Sequence, residues 1–289
     1  MKSSLGDNIS YYIKLSKLRI MIPVSFTGFT GYFIYKPQLS VNILLVTIGI
    51  LLLAISASVL NQIQEVEIDN KMKRTQSRPL PSGEISVQHA FIFFICTLAS
   101  GSVILYATSG LIALLTGLLT IIWYNGIYTY VKRLTAFAVV PGALTGALPP
   151  LIGWVAAGGG LWDKPIIFLE FLFFAGQIPH FWLLIMQYGE EYRMAGIPSL
   201  TDIFSSSQIN RLTFIWVITS VIAALFLCFF EIIRNIPLCV ILLIASAYIV
   251  WKFSELIRGQ KGSYRYYFIL LDSYFLLLII LLISDRIID

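Results

Sequence analysis

The sequence has few charged residues and few of the side chains that usually bind zinc. Asp, Glu, Lys and Arg make up 12% of its 289 residues and apolar residues 58%, far from the balance of a soluble domain. Two histidines and no cysteine cluster make a zinc site unexpected. Cys96, Cys228 and Cys239 fall within apolar stretches without paired spacing. We therefore expect buried apolar thiols rather than a disulfide.

Long apolar runs are abundant, and the mean hydropathy is +0.84. Each run approaches the ~20 residues that a helix needs to cross ~30 Å of hydrocarbon. We predict an all-α fold of one domain over residues 1–289. It is a polytopic membrane helical bundle of about nine transmembrane helices around a central cavity open to the cytoplasmic side, preceded by a short cytoplasmic segment, 1–19. The runs are roughly 20–36, 41–60, 87–108, 110–128, 134–157, 165–186, 211–231, 236–251 and 267–284.

The basic residues are distributed unevenly between the two sets of loops. One set carries 16 of the 20 Lys and Arg residues, and the other carries only Lys36, Lys164, Arg234 and Arg286. By the positive-inside rule, the N-terminus is cytoplasmic and the C-terminus is outside. The net charge of +5 therefore reflects topology. It predicts contact with the lipid bilayer and gives no reason to expect a nucleic-acid partner.

Polar residues at a spacing of four follow directly on the second apolar run. A helix that continues past Leu60 places Asn61, Glu65 and Asp69 on one face. Neighbouring carboxylates repel each other unless a cation lies between them. Arg74 and Arg78 follow, and Mg²⁺ is usually held by one or two carboxylates together with phosphate oxygens. The pattern predicts a Mg²⁺–diphosphate site, and the alternative is an ordinary solvated loop.

A second acidic pair follows the sixth apolar run. Glu190 and Glu191 are adjacent, so they cannot share one helical face, and this pair is less specific alone. Opposite the first cluster, it would complete a two-sided cage in which the metal ligands are Glu65, Asp69, Glu190 and Glu191. Lys132 and Arg133, after the fourth run, are candidates to contact phosphate oxygens or act as plain topological anchors.

Two ionisable residues and a series of helix breakers lie inside predicted spans. His180 and Asp272 are either hydrogen-bonded interior residues or functional groups. The fifth run is kinked around a cavity or packs closely through small residues. Its breakers are Pro141, Gly142, Gly146, Pro149, Pro150 and Gly153.

With these residues placed, the chain resembles the UbiA-type intramembrane prenyltransferases, and within them the haem O-forming branch. The first motif of that family has an Asn, acids four and eight positions later, then Arg-Thr and Arg-Pro. Two departures are Glu65, where the family usually has Asp, and Glu190-Glu191-Tyr192, where it has Asp-Asp-Tyr. The matching residues are Asn61, Glu65, Asp69, Arg74-Thr75, Arg78-Pro79, His180-Phe181-Trp182 and Glu191-Tyr192.

The resemblance implies transfer of a farnesyl group from farnesyl diphosphate to the vinyl group of haem B, giving haem O, in a bacterial inner membrane. Asn61 joins the acids as a catalytic residue, and Mg²⁺ assists departure of the diphosphate. Alternatives are prenylation of an aromatic quinone precursor such as 4-hydroxybenzoate or a naphthoate, a non-catalytic oxidase assembly factor, and a transporter. The implied diphosphate-binding residues are Arg74, Arg78, Lys132 and Arg133, and the implied acceptor or prenyl pocket consists of Tyr128, His180 and Tyr192.

Overall fold

The computed structural model describes residues 5–259 and 263–288, so the first four residues of the predicted N-terminal segment lie outside it. The described residues form helices and turns without a strand, which confirms the predicted all-α fold. The helices are α1 (Leu5–Ser16), α2 (Leu18–Tyr35), α3 (Val41–Gln64), α4 (Val66–Lys71), α5 (Val87–Ile121), α6 (Thr129–Val131), α7 (Val139–Ala156), α8 (Lys164–Met194), α9 (Ser206–Phe229), α10 (Ile236–Ile257) and α11 (Tyr264–Ile288). A π-helix, Ile122–Tyr128, joins α5 to α6, and single 3₁₀ turns lie at Ala136–Ala138 and Leu200–Asp202.

Seven helical segments of the described chain are long and apolar enough to cross a membrane. One of them, Val87–Val131, has 45 residues. As a straight helix it would measure about 68 Å, twice the hydrocarbon thickness. Gly110 breaks it with φ 80° and ψ −170°. The side chain of Leu105 lies beside Gly117, so the two limbs fold back on each other as a hairpin. With α2 as a further crossing, the described chain agrees with the predicted total of about nine.

The contact between α2 and α7 depends on residues without bulky side chains. A Cβ atom added at Gly153 would collide with the backbone of Gly28, and one at Gly31 would collide with Pro150. Membrane helices gain van der Waals contact through such small residues, because lipid tails leave little hydrophobic drive for their association. Close packing is therefore one role of the breaker-rich fifth run. The cavity that the sequence predicts on the cytoplasmic side remains a prediction.

The predicted continuous helix through the first acidic cluster is interrupted. The helix α3 ends at Gln64, and Glu65 adopts φ −119° and ψ 12° before α4 begins. The amide of Asp69 still donates to the carbonyl of Glu65 at 2.8 Å, as in one turn of α-helix. The two acids therefore keep the predicted spacing of one turn across the break.

The expectation of buried, unpaired cysteines is wrong at all three positions. Cys228, at the end of α9, and Cys239, near the start of α10, form a disulfide with Cα atoms 6.0 Å apart. Cys96 is a free, exposed cysteine. A spacing of 11 residues gave no signal in the sequence, because the turn between the two helices brings the cysteines together. The disulfide joins α9 and α10 at the end of the bundle opposite the acidic clusters.

We expect Gly153→Val to destabilise the bundle by about 2–3 kcal/mol, because the added side chain overpacks the α2–α7 contact. A lower temperature of unfolding in detergent, measured by circular dichroism, would report the loss. Gly126→Ala is the matched control, because a Cβ atom there meets only the side chain of Ile122, at 3.9 Å. Equal stability of the two variants would contradict a tight α2–α7 contact.

Candidate active site

Three predicted polar residues are buried where α3 gives way to α4. Asn61 is 4%, Glu65 6% and Asp69 4% exposed, whereas Glu67 between the acids is exposed. A solvated loop would not bury alternate acids in this way. Burying a carboxylate is costly unless a cation and hydrogen bonds compensate it.

Each buried carboxylate is paired with a basic residue from another element. The Nζ atom of Lys132, just after α6, lies 2.6 Å from Oε1 and 2.7 Å from Oε2 of Glu65. Nη1 of Arg78 donates to Oδ2 of Asp69 at 2.6 Å. Thr75 holds the intervening loop in place by donating to the carbonyl of Asp69 at 2.8 Å. The structure thus brings together two acids and two bases that are predicted to act in one site.

The second acidic pair contributes one residue to this site. The backbone N–H of Arg74 donates to Oε2 of Glu191 at 3.0 Å, and its guanidinium lies 5.1 Å from the ring centre of Tyr188. Glu190, one position earlier, is exposed. Met72, Ala195 and Ile197 form a small buried cluster beside this contact. The loop after α4 and the end of α8 are therefore held against each other.

Tyrosines lie beside the acids and bases. The rings of Tyr124 and Tyr128 stack with centroids 5.6 Å apart, and Lys132 Nζ lies 5.4 Å from the Tyr128 ring centre. Tyr192 lies within electrostatic range of Arg74 and Glu65. Tyr128 and Tyr192 are predicted site residues, whereas Tyr124 is not. The spacing of four between Tyr124 and Tyr128, which includes the π-helical turn, is the signal that would have identified it.

Amides fasten the π-helix to α3. Asn61 Nδ2 donates to Thr129 Oγ1 at 3.1 Å, so this predicted catalytic residue also holds the wall of the site. Asn125 donates to the carbonyl of Ala57 at 3.0 Å and to Gln64 Oε1 at 3.1 Å. Arg133 donates to the Gln64 carbonyl at 2.8 Å. Since π-helical turns often occur at functional sites, this one supports the location of the site.

Lys17, one of the 16 basic residues on the predicted cytoplasmic side, lies near the predicted site residues although it is not among them. It lies between α1 and α2 in the left-handed conformation, with φ 47° and ψ 44°. Burial and the nearby positive charge of Arg78 lower the pKa of Lys17 to about 7, with Asp69, Lys132 and Glu65 also in range. Gln62 fixes this junction by donating to the carbonyl of Leu15 at 2.8 Å. The conformation is not readable from a Leu-Ser-Lys-Leu-Arg sequence.

His180 and Asp272 form a pair inside the membrane span. Nδ1 of His180, on α8, lies 2.8 Å from Oδ1 of Asp272, on α11. The imidazole packs on the ring of Phe268, with ring centroids 4.4 Å apart. The side chains are 25% and 47% exposed. Phe181, the next residue, contacts Tyr128 with ring centroids 6.3 Å apart. His180 thus lies at the α8–α11 seam, while its neighbour lies against the aromatic side of the acidic site.

The predicted metal ligands are only partly gathered. Within residues 5–259 and 263–288, no three Asp, Glu, His or Cys side chains converge as a metal centre. Glu65, Asp69 and Glu191 nevertheless offer only oxygen ligands, which suits Mg²⁺. The first two are held by cations in this structure. The chemistry of these ligands therefore fits the metal that the sequence predicts.

Comparisons with known proteins identify the family of the chain. The profile of the UbiA prenyltransferase family matches residues 24–279. A protoheme IX farnesyltransferase from Cytophaga hutchinsonii is 40% identical over 200 residues, 68% of this chain and 69% of the relative. A protoheme IX farnesyltransferase from Nitratidesulfovibrio vulgaris is 28% identical over 272 residues, 94% of this chain and 93% of the relative.

Solved structures share the fold. A digeranylgeranylglyceryl phosphate synthase structure has a TM-score of 0.78 at 20% identity, covering 97% of this chain and 99% of the other. An Archaeoglobus fulgidus UbiA homolog bound to GPP and Mg²⁺ has a TM-score of 0.69 at 16% identity, covering 96% and 98%. Since the family profile spans most of the sequence and a relative is 40% identical over two thirds of it, the chain belongs to the UbiA prenyltransferase family.

Proposed function

We propose that this prenyltransferase transfers the farnesyl group of farnesyl diphosphate to the vinyl group of haem B, giving haem O. The paired and buried Glu65 and Asp69 at the end of α3 carry the proposal, because they form a charged pocket for a diphosphate where the spans end. The relatives at 40% and 28% identity, both protoheme IX farnesyltransferases, support haem as the acceptor. No feature of the described residues favours an aromatic acid instead.

Mg²⁺ fits this site as the metal partner of the diphosphate. Glu65, Asp69 and Glu191 would hold it, and an A. fulgidus homolog of this fold binds GPP together with Mg²⁺. When bound, Mg²⁺ supplies Lewis acidity, which stabilises the negative charge that develops on the departing diphosphate. Glu190, which is exposed here, is the remaining candidate from the second acidic pair.

The basic residues bind and orient the diphosphate. Lys132 and Arg78 now compensate Glu65 and Asp69, and both can exchange those partners for phosphate oxygens. Arg74, at the edge beside Glu191, adds a third cation. Arg133 donates to the carbonyl of Gln64, which holds the π-helical wall in place. In this position the guanidinium of Arg133 also stays close to the proposed phosphate position. Charge stabilisation by such fixed groups is stronger where water is excluded.

The tyrosines line the position of the reacting carbon. As the C1–O bond of an allylic diphosphate loosens, positive charge develops on the prenyl chain. The faces of Tyr124, Tyr128 and Tyr192 attract this charge by cation–π contact, a contribution of ~2 kcal/mol when desolvated. Their half-buried rings beside the acids also shield the allylic cation from water, which would otherwise capture it.

The His180–Asp272 pair acts on the acceptor side. In metal-binding histidines, the ring nitrogen that is not coordinated usually donates to a carboxylate, and here Asp272 faces Nδ1. Nε2 is then the nitrogen that can contact the iron of haem B. Both side chains are partly exposed where α8 meets α11. A flat, amphipathic acceptor such as haem B can therefore reach them from the bilayer.

The protein is a polytopic integral membrane protein, and we place its acidic site and N-terminus on the cytoplasmic face of a bacterial inner membrane. The excess of Lys and Arg at the acidic end supports this orientation. The Cys228–Cys239 disulfide at the opposite end also supports it, because disulfides persist on the oxidising side of that membrane.

A product assay on the detergent-purified protein tests the function. Farnesyl diphosphate and Mg²⁺ are supplied with haem B, or separately with 4-hydroxybenzoate, and products are read by mass spectrometry. We expect haem B to gain the mass of a farnesyl group plus a hydroxyl group, because the farnesyl group bonds to one vinyl carbon while water supplies the hydroxyl at the other and releases a proton. Prenylation of 4-hydroxybenzoate alone would keep the site chemistry and refute the acceptor.

In the same assay, Asp69→Asn should lower kcat at least about a hundredfold, because it removes a charge that holds the metal–diphosphate complex. Glu67→Gln is the matched control, since Glu67 is an exposed acid two positions away. It should leave kcat unchanged. A wild-type rate for Asp69→Asn would exclude this carboxylate from the site.

Arg74→Ala should raise the KM for farnesyl diphosphate about tenfold, because one charge-assisted contact to a phosphate oxygen is lost. Its backbone N–H, which bonds Glu191, remains. Lys73→Ala removes an exposed charge one residue away and should leave KM unchanged. An equal effect of the two variants would mean that Arg74 contributes only to the general electrostatic field.

His180→Ala and Asp272→Asn should each weaken haem B binding roughly tenfold to a hundredfold, as expected when an iron ligand or its carboxylate partner is lost. The measurement is a titration followed in the Soret band, with farnesyl diphosphate affinity as the internal reference. His89→Ala is the control, because His89 is the other histidine and is exposed at the start of α5. Unchanged Soret titrations for both variants would remove the pair from the acceptor site.

A further inference from the structure

The surface between α9 and α10 contains a groove of about 460 Å³, which we call the α9–α10 groove. Its α10 wall runs from Leu243 to Ser254, about 16 Å at 1.5 Å per residue. Only 28% of the α10 span is buried, so the groove opens towards the bilayer. The proposed prenyl transfer uses none of its residues. The aliphatic lining residues are Val221, Leu225, Leu243, Ala247 and Val250.

The α10 wall of the groove leads to an arginine. The lining residues of α10 recur at spacings of three and four, so they form one face of the helix. Arg258 caps α10 four residues past Ser254, and it continues that face to the end nearest the acidic site. Its side chain is exposed, and within residues 5–259 and 263–288 it makes no ion pair or hydrogen bond.

The α9 wall leads to a second arginine at the same level. Asn210 Nδ2 donates to the carbonyl of Leu256 at 3.5 Å, which holds the start of α9 against the end of α10. Arg211 follows Asn210 and precedes Leu225 by nearly four helical turns, so it lies on the lining face of α9. Arg211 is exposed, and in the part of the chain that the structure describes its side chain pairs with no carboxylate.

The charge at this end of the groove is positive. Residues 199–211 and 248–266 contain two acids, Asp202 and Glu255. Each is already paired with its own base, since Arg193 lies 2.7 Å from Asp202 and Lys252 lies 2.9 Å from Glu255. These two pairs cancel their own charges. The two arginines at the groove end are therefore not neutralised by a neighbouring acid.

Aromatic rings place this end of the groove at headgroup depth. Trp251 lines the groove, and its ring centroid lies 5.9 Å from that of Tyr248. Nζ of Lys252 lies 4.4 Å from the centre of the Trp251 ring. Trp and Tyr at the end of a span are typical of the boundary between hydrocarbon and headgroups. An apolar groove below this level and two cations at it match the tail and the headgroup of a lipid.

We propose that the α9–α10 groove binds an anionic phospholipid of the leaflet on the side of the acidic site. One acyl chain would lie along the apolar walls, and the phosphodiester would accept hydrogen bonds from Arg211 and Arg258. A zwitterionic lipid offers the same chain and phosphate but adds a cation, which the arginines repel. The site goes beyond the prenyl transfer reaction, so its test requires no substrate.

Native mass spectrometry of the delipidated, detergent-purified protein tests the proposal. Phosphatidylglycerol and phosphatidylcholine with identical acyl chains are titrated in parallel. We expect one tightly bound phosphatidylglycerol that phosphatidylcholine does not replace. The double variant Arg211→Gln, Arg258→Gln should weaken its binding about tenfold or more, because two charge-assisted contacts are lost. The matched control Lys14→Gln, Arg19→Gln removes two exposed charges on α1 and α2 and should leave binding unchanged.

A third variant tests the groove separately from the charge. Ala247→Trp fills the groove while both arginines remain, and because Ala247 is exposed the larger side chain does not overpack the bundle. We expect it to weaken phosphatidylglycerol binding about tenfold as well, since the acyl chain loses its apolar contact. Unchanged binding in this variant would contradict the groove as the site of the chain.

Three other results overturn the proposal. Equal binding of phosphatidylcholine would show that the site does not distinguish headgroup charge. Equal losses in the two double variants would indicate non-specific attraction to the basic end of the protein. Displacement of the lipid by equimolar farnesyl diphosphate would make the groove a site for the prenyl donor instead. Arg211→Lys, Arg258→Lys keeps both charges and should retain binding, so a loss there as large as in the Gln variant would contradict the role of charge.

Discussion

Two carboxylates buried at the end of a membrane helix are the constraint on which the rest of this structure depends. Glu65 and Asp69 cannot remain charged at 6% and 4% exposure without partners, and each partner comes from elsewhere in the chain. Lys132 ties Glu65 to the end of the α5 hairpin, and Arg78 ties Asp69 to the loop after α4. The acidic end of the bundle is thus organised by electrostatics, while the spans themselves are held by packing.

That division explains why the two kinds of helix contact look so different. Between α2 and α7, backbones touch because Gly28, Gly31 and Gly153 have no side chains. At the acidic end, side chains keep the elements apart and bridge them with ion pairs and amides, as Asn61 does with Thr129. A pocket for a charged substrate requires the second kind of contact, because side chains that pair with each other can also exchange partners.

The sequence predicted the parts of this architecture that depend on local pattern. Apolar run length gives the spans, and a spacing of four placed Asn61, Glu65 and Asp69 on one side even though the helix breaks at Glu65. What it did not give depends on tertiary contact. The left-handed conformation that brings Lys17 near Arg78 and the turn that joins Cys228 to Cys239 leave no periodic trace. The separation of Glu190 from Glu191 was foreseeable, because adjacent residues lie about 100° apart on a helix.

The pairing of acids with bases also bears on how such a site selects its ligand. A metal ion alone would have to displace Lys132 and Arg78 from Glu65 and Asp69, leaving two cations without partners in a buried place. A diphosphate alone would draw those cations away and leave two carboxylates exposed to each other. Only when both arrive does every charge find a partner, so each favours the binding of the other. In the proposed reaction, the arrangement therefore disfavours binding of free phosphate or free metal, and favours the metal-bound diphosphate over either component.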